Sequence, residues 1–149
     1  MESGNKAVMR AAFATDDGQT FMDRHFGDAR YFDIYDLEGQ SWVKVRRIDN
    51  TIEEDETVHA DPRKAGGITG LLKAEGVQVA VSKVFGPNIM RIKKHFVCVR
   101  MDDQTIGDAQ ERLAGMAGRI EEEWNKGDER GFLNQLRARE SVEGDSAGA

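Results

Sequence analysis

The spacing of apolar positions changes several times along this chain, and each change marks an element. Residues Ala7 to Thr15 are mostly apolar and end in Asp16-Asp17-Gly18, which predicts a buried strand closed by a turn. After a loop holding His25-Phe26-Gly27, the runs Tyr31 to Leu37 and Ser41 to Ile48 flank Glu38-Gly39-Gln40 and predict a hairpin. Val43 and Val45 alternate with Lys44 and Arg46, as in a strand with one wet face. From Asp49 to Gly67 the chain is acidic, then glycine-rich around Pro62, and reads as a long connection. Ile68, Leu71 and Leu72 predict a short helix ended by Gly76, followed by Val77 to Val81, a strand of the kind buried in a parallel sheet. Gly86-Pro87 opens another helix through Ile89, Met90 and Ile92-Lys93, leading to a last strand at Val97-Cys98-Val99. Thr105 to Asp108 resembles a capping box, and Ile106, Ala109, Leu113, Met116, Ala117, Ile120 and Trp124 then recur at helical spacing. Asn125-Lys126-Gly127 stops that helix, Phe132, Leu133 and Leu136 suggest a short further helical piece, and a polar, disordered tail is expected from Ser141.

One α/β domain over residues 7–125, with a helical or disordered extension over 126–149, follows from this order, and 149 residues suffice to enclose a core without disulfides. A net charge of -6 argues against a general nucleic-acid binder, which needs clustered cations against phosphate. Acids exceed bases by ten to six after residue 106 and by only seventeen to fifteen before it, so the first part can hold a local positive site. Cys98 is the only cysteine, which excludes an intrachain disulfide and any cysteine-rich zinc or iron–sulfur motif. A polar start and the lack of a long apolar run predict a cytoplasmic protein that does not insert in a membrane.

Three blocks carry a family resemblance. The first joins Arg10-Ala11-Ala12-Phe13-Ala14-Thr15-Asp16-Asp17-Gly18 to Asp23-Arg24-His25-Phe26-Gly27-Asp28-Ala29-Arg30-Tyr31-Phe32. Gly76 to Val81 running into Gly86-Pro87-Asn88 is the second, and Thr105 opening a terminal helix is the third. In order and loop length they are similar to the dinitrogenase iron–molybdenum cofactor biosynthesis family, of the NifX type and its single-domain relatives, over roughly residues 8 to 115. The resemblance implies a ribonuclease H-like mixed sheet of five strands with helices on both faces, and binding or carriage of a metal–sulfur cluster without catalysis. Lys83-Val84 and His95-Phe96 depart from the family pattern, standing where smaller residues are common.

An anionic, soft cluster needs N–H or cationic donors and one or two exchangeable ligands. His25 in its glycine-bounded loop is the leading candidate ligand, against the plainer reading of a surface or capping histidine. Phe26 and Gly27 accompany it. Gly86, Pro87 and Asn88 at a helix start, and Gly66-Gly67 at another, offer backbone N–H groups to an anion, although both also serve as ordinary punctuation. His59 in the long loop is a second candidate metal ligand, with an exposed loop histidine as its simpler reading. A lone Cys98 between Val97 and Val99 reads as packing, and His95 beside Lys93-Lys94 as a partner for a helix C-terminus. Met22, Met90 and Met101 read as core filling before soft-metal ligands, and Asp16-Asp17 as a turn before a two-metal hydrolase site.

The expected cargo is an iron–molybdenum–sulfur cluster or precursor, or a molybdenum–copper sulfide cluster, exchanged with donor and acceptor proteins. The alternative is a protein-interaction or regulatory module that has lost cluster binding and docks through an exposed helix around Trp124 and Phe132. The chain after Gly127 is expected to be dispensable for the binding core.

Overall fold

Every side chain from Ala11 to Thr15 is shut off from solvent, because β1 (Ala7–Thr15) is central in the sheet and covered on both faces. The structure is a computed structural model and describes residues 7–50, 67–87 and 89–136. β2 (Tyr31–Glu38) pairs antiparallel with β1, and β3 (Ser41–Asp49) antiparallel with β2. On the other side β4 (Val79–Ser82), β5 (Val97–Met101) and β6 (Phe132–Gln135) follow in parallel, giving the order β3-β2-β1-β4-β5-β6.

Alternation along the strands sorts the side chains into two cores. One face carries Met9, Phe13, Leu37, Val79, Val81, Val97 and Val99 against α3 (Ile106–Ala114) and α4 (Ala117–Trp124). The other carries Ala12, Ala14, Phe32, Ile34, Ala80 and Cys98 against α1 (Gly67–Ala74), α2 (Ile89–Ile92) and the loop that holds Phe26. α1 ends in a Schellman arrangement. Val77 N–H donates to Leu72 O at 3.2 Å and Gly76 N–H to Lys73 O at 3.0 Å, with Gly76 at a φ of 78° that a Cβ would disfavour. α3 starts at Thr105, whose hydroxyl accepts the Asp108 N–H at 3.0 Å.

The expected mixed sheet with helices on both faces is present, with one strand more than the expected five. Phe132 and Leu133 lie in β6, where a helical piece was expected. A strand there satisfies the outer edge of β5, and its exposure alternates, with Phe132 outside and Leu133 buried. Two inward-facing positions at most are too few to reveal a period of two. The single helix expected from Ile106 to Trp124 divides at Gly115-Met116, where Gly115 and Met116 N–H groups bond three residues back to Arg112 O and Leu113 O. Its apolar spacing persists across the break because both halves face one sheet. α2 is a single turn, shorter than expected.

Buried polar contacts lock the return from α4 to β6. Arg130 is 6% exposed, donates to Lys94 O at 2.7 Å and Trp124 O at 3.1 Å, and lies 4.1 Å from the Trp124 ring centroid. Glu123 accepts the Gly131 N–H at 2.5 Å, which with Lys126 holds its carboxyl below the usual carboxylate range. Arg112 grips buried Asp103 at 2.9 and 3.0 Å and donates to Gln135 O at 2.6 Å. Residues Phe132–Gln135 thus belong to the same sheet, and Leu133 shares its core. Among the described residues no helix is long and apolar enough to cross a membrane.

Replacing Leu133 by Ala should cost about 2 kcal/mol in urea unfolding, the lower end for a buried leucine, because the site is at a sheet edge. A change under about 0.5 kcal/mol, as for an ordinary surface position, would return this segment to the status of a dispensable extension.

Candidate functional site

The parallel strands β1 and β4 end at the same edge of the sheet, where three separate segments meet. Between Thr15 and Tyr31 the chain crosses this edge in a loop whose shape is set by its own polar side chains. Asp17 accepts from Gln19 N–H and Thr20 N–H, both at 2.8 Å, and from Thr20 Oγ1 at 2.9 Å. The Thr20 backbone bond, followed by that of Gln19, pulls its carboxyl down to about 2. Asp16 takes a two-pronged contact from Arg24, at 2.9 and 3.0 Å, and the Arg30 N–H at 2.9 Å. Arg24 also donates to Asp28 O. Both aspartates are therefore occupied in building the turn.

That frame presents the predicted signature. Asn50, at the end of β3, donates through one Nδ2 to Gly27 O and Ala29 O at 2.8 Å each, pinning the short 3-10 turn Phe26–Asp28. Phe26 is buried, 5.1 Å centroid to centroid from Phe32 and stacked at 5.3 Å on Phe85, so it anchors the loop from below. His25, next to it, is exposed. Its backbone forms an isolated parallel bridge with Val84, and its ring lies directly on Gly86. A Cβ at position 86 would stand 2.5 Å from Nδ1 and 2.8 Å from Cγ, a separation real side chains do not tolerate. Glycine leaves room here for the ring to lie close, with no unusual φ, and a side chain at 86 would have to turn the ring away.

Gly27 faces α1, since a Cβ there would touch Ile68 Cγ1 at 4.0 Å. Gly67 is the first described residue of α1, so the N-terminal end of this two-turn helix points towards the same edge. His25, Phe26, Gly27, Gly67, Gly86 and Pro87 are thereby gathered at one end of the sheet. The predicted His59, Gly66 and Asn88 lie outside the described residues. The helix dipole expected behind Gly86-Pro87 is weaker than its sequence suggested, because α2 has only four residues and few aligned peptides.

Cys98 is fully buried, its Sγ 3.8 Å from Phe96 O, and burial pushes its thiol up to about 12. It packs in the core with no surface open to solvent. His95 lies 3.4 Å from Lys73 Nζ, and burial, then Lys73, lowers its pKa. Met22 and Met101 are buried in the cores of opposite faces and Met90 is exposed, so they form no thioether cluster. Trp124 and Phe132 likewise belong to opposite faces, and the common helical docking surface expected for them does not form. A cavity of about 320 Å³ opens at the other end of the sheet between Val8, Met9, Val79, Ile120 and Trp124, and holds none of the predicted site residues. Among the described residues no three His, Cys, Asp or Glu side chains gather as a set for a metal ion.

Two contributors escaped the sequence reading. Asn50 is distant in sequence from the loop it pins, and a lone asparagine after a strand signals only a turn. Lys83 stands out in the sequence only for its bulk, and the structure shows its ammonium 2.5 Å from Asp23 Oδ1, joining the end of β4 to the His25 loop.

Residues 7–116 match the family described as dinitrogenase iron–molybdenum cofactor. Solved structures of similar fold include PH0822, with 20% identity, a TM-score of 0.54, and coverage of 72% of this chain and 91% of that one. The dinitrogenase-like protein mj0327 of Methanocaldococcus jannaschii is 16% identical with a TM-score of 0.52, covering 73% of this chain and 90% of its own. Its solution structure gives 0.53, with coverage of 78% and 93%. No curated protein matches the chain by sequence.

Gly86→Ala should keep the fold and displace the His25 ring, seen as shifted imidazole resonances with stability changed by no more than about 0.5 kcal/mol, since the displaced ring is exposed. Unchanged His25 resonances would mean that the ring does not rest on Gly86. Cys98 should resist thiol reagents at pH 8 in the native protein and react fully in denaturant, and rapid native labelling would show that the thiol is reachable.

Proposed function

The chain belongs to the dinitrogenase iron–molybdenum cofactor family, and from that premise we propose that it carries or stores a preassembled anionic metal–sulfur cluster. The cargo in this reading is an iron–molybdenum cofactor precursor or a molybdenum-containing sulfide cluster, received from a donor protein and passed to an acceptor in the cytoplasm. Binding and release, without chemical change of the cargo, is the whole of the activity.

The observation that supports the reading most is the exposed His25 imidazole, which lies over Gly86 on a loop anchored by buried Phe26 and by Asn50. A neutral imidazole offers one ring nitrogen as a ligand to metal, and its other nitrogen, or the protonated ring, donates to sulfide. Backbone N–H groups at Gly67 supply further donors of the right sign on the neighbouring segment. The donor set suits a finished cluster better than a bare ion. A bare ion needs three or four protein ligands, whereas a cluster brings its own sulfides and needs few exchangeable contacts. With Cys98 buried, no described thiolate competes for the metals, and one replaceable imidazole permits release to an acceptor with stronger ligands.

His25→Ala should reduce cluster retention at least several-fold after anaerobic reconstitution, with circular dichroism unchanged, since an exposed loop side chain adds little to stability. Cys98→Ser should keep the cluster and lose stability, because a hydroxyl placed at that buried position needs a partner. Metal per chain and visible charge-transfer absorption are the readouts. Full retention by His25→Ala together with loss in folded Cys98→Ser would reverse the assignment.

A further inference from the structure

Among the described residues five cationic side chains stand near the loop edge and are committed to different degrees: Arg30 lies 5.9 Å from the Tyr31 ring centroid, and the other four make hydrogen bonds. Arg24 is held twice by Asp16 and once by Asp28 O, Arg47 grips the fully buried Asp33 at 2.8 and 3.1 Å, and Arg100 donates through Nε to Lys83 O at 3.1 Å. These three hold the backbone or the core in place. Lys83 differs. Among the described residues its ammonium makes one contact, to Asp23 Oδ1, and Asp23 is 83% exposed with no other hydrogen-bond partner there.

The base of the Lys83 side chain is fixed by its neighbours, while its head is held by the exposed Asp23. Ser82 before it is fully buried in β4, its own carbonyl is held by Arg100, and Val84 after it bridges to His25. Asp23 lies two residues before His25 and Lys83 three before Gly86, so the pair spans the two segments that bring the imidazole and Gly86 together. An exposed pair of this kind contributes little stability, because water and salt screen it. A dianion at the same distance attracts the ammonium twice as strongly as one carboxylate does.

We propose that Lys83 is an anion-recognising residue of the cargo site and that Asp23 is its latch, the ammonium turning from the carboxylate to the incoming thiometallate anion. The assignment rests on the carriage reading above and makes the site selective for multiply charged sulfide anions over neutral or singly charged ligands. The latch keeps the lysine at the rim in the empty protein, and its exchange is a replacement of one ion pair by another without any covalent step.

Tetrathiomolybdate alone, a simple dianionic probe, tests this on the full chain by equilibrium dialysis with absorbance. Lys83→Met should weaken binding roughly five-fold, Asp23→Asn should tighten it about two- to five-fold by freeing the ammonium, and the double variant should match Lys83→Met, all within the range of a partly exposed charge pair. Lys83→Arg should retain most of the affinity. If the pair were only a clamp on the loop, both single variants would loosen it and weaken binding together; that outcome, or an unaltered affinity in Lys83→Met, overturns the latch while leaving carriage intact. A parent chain that takes up neither tetrathiomolybdate nor a reconstituted cluster overturns the carriage reading and the latch with it. Thermal unfolding of each variant separates these results from misfolding.

Discussion

A strand covered on both faces must fit two cores at once, and β1 does so by dividing its side chains by size. Phe13 fills one face, where the rings of Tyr35 and Trp42 meet it edge-on at 5.6 Å each. Ala12 and Ala14 leave the other face shallow, and the ring of Phe32 from β2 and that of Phe26 from the loop occupy the space. Burying a phenylalanine side chain contributes about 1.5–3 kcal/mol, enough for Phe26 to hold a loop that otherwise depends on polar contacts. The placing of the His25 loop depends on this asymmetry. A larger residue at Ala14 would lift Phe26, and with it the backbone that turns His25 outward over Gly86.

Charge plays a different part at the two ends of β2. Towards β3, Asp33 is fully buried and met by Arg47 and, at 3.5 Å, by Lys44, while Arg47 also lies 4.3 Å from the Tyr31 ring centroid. Removing one partner of such a pair leaves a stranded charge, so it enforces the register of β2 and β3 more than it adds to stability. Lys44, Arg46 and Arg47 also place cations along an exposed edge strand, a common protection against edge-to-edge pairing. At the other pole, Arg10 takes Asp36 in a two-pronged grip at 2.7 and 2.9 Å and donates to Glu75 O, joining β1 and β2 to the end of α1.

The order of strands and helices up to β5 was legible because each has its own period and its own punctuation, as with Gly76 behind Leu72 or Thr105 before Ile106. The site was legible in part: His25, Gly27, Gly67 and Gly86 do converge, yet nothing in the spacing of residues 25 and 86 reveals that the ring of one lies close against the other, where a Cβ is missing. Asn50 and the Asp23–Lys83 pair were hidden for the same reason, since long-range contacts between single polar residues leave no periodic trace. β6 was misread because a four-residue edge strand carries too few inward positions to distinguish a period of two from a helical turn. The break at Gly115-Met116 was invisible because hydrophobic spacing records which side faces the core and is indifferent to a change of axis.

Both tryptophans pack on the same side of the sheet. Trp42, whose Nε1 donates to Gln110 O at 2.8 Å, and Trp124, beneath Arg130, lie with α3 and α4, whereas His25, Phe26, Ile68 and Phe85 occupy the opposite layer. The aromatic rings that gather at the loop edge, Phe26, Phe85 and Phe132, are nearly silent in emission. Intrinsic fluorescence excited at the indole band therefore reports on one half of the molecule. Light from the α3–α4 side registers the integrity of that layer, and an event at the histidine edge reaches it only through the sheet or by energy transfer to a coloured cargo.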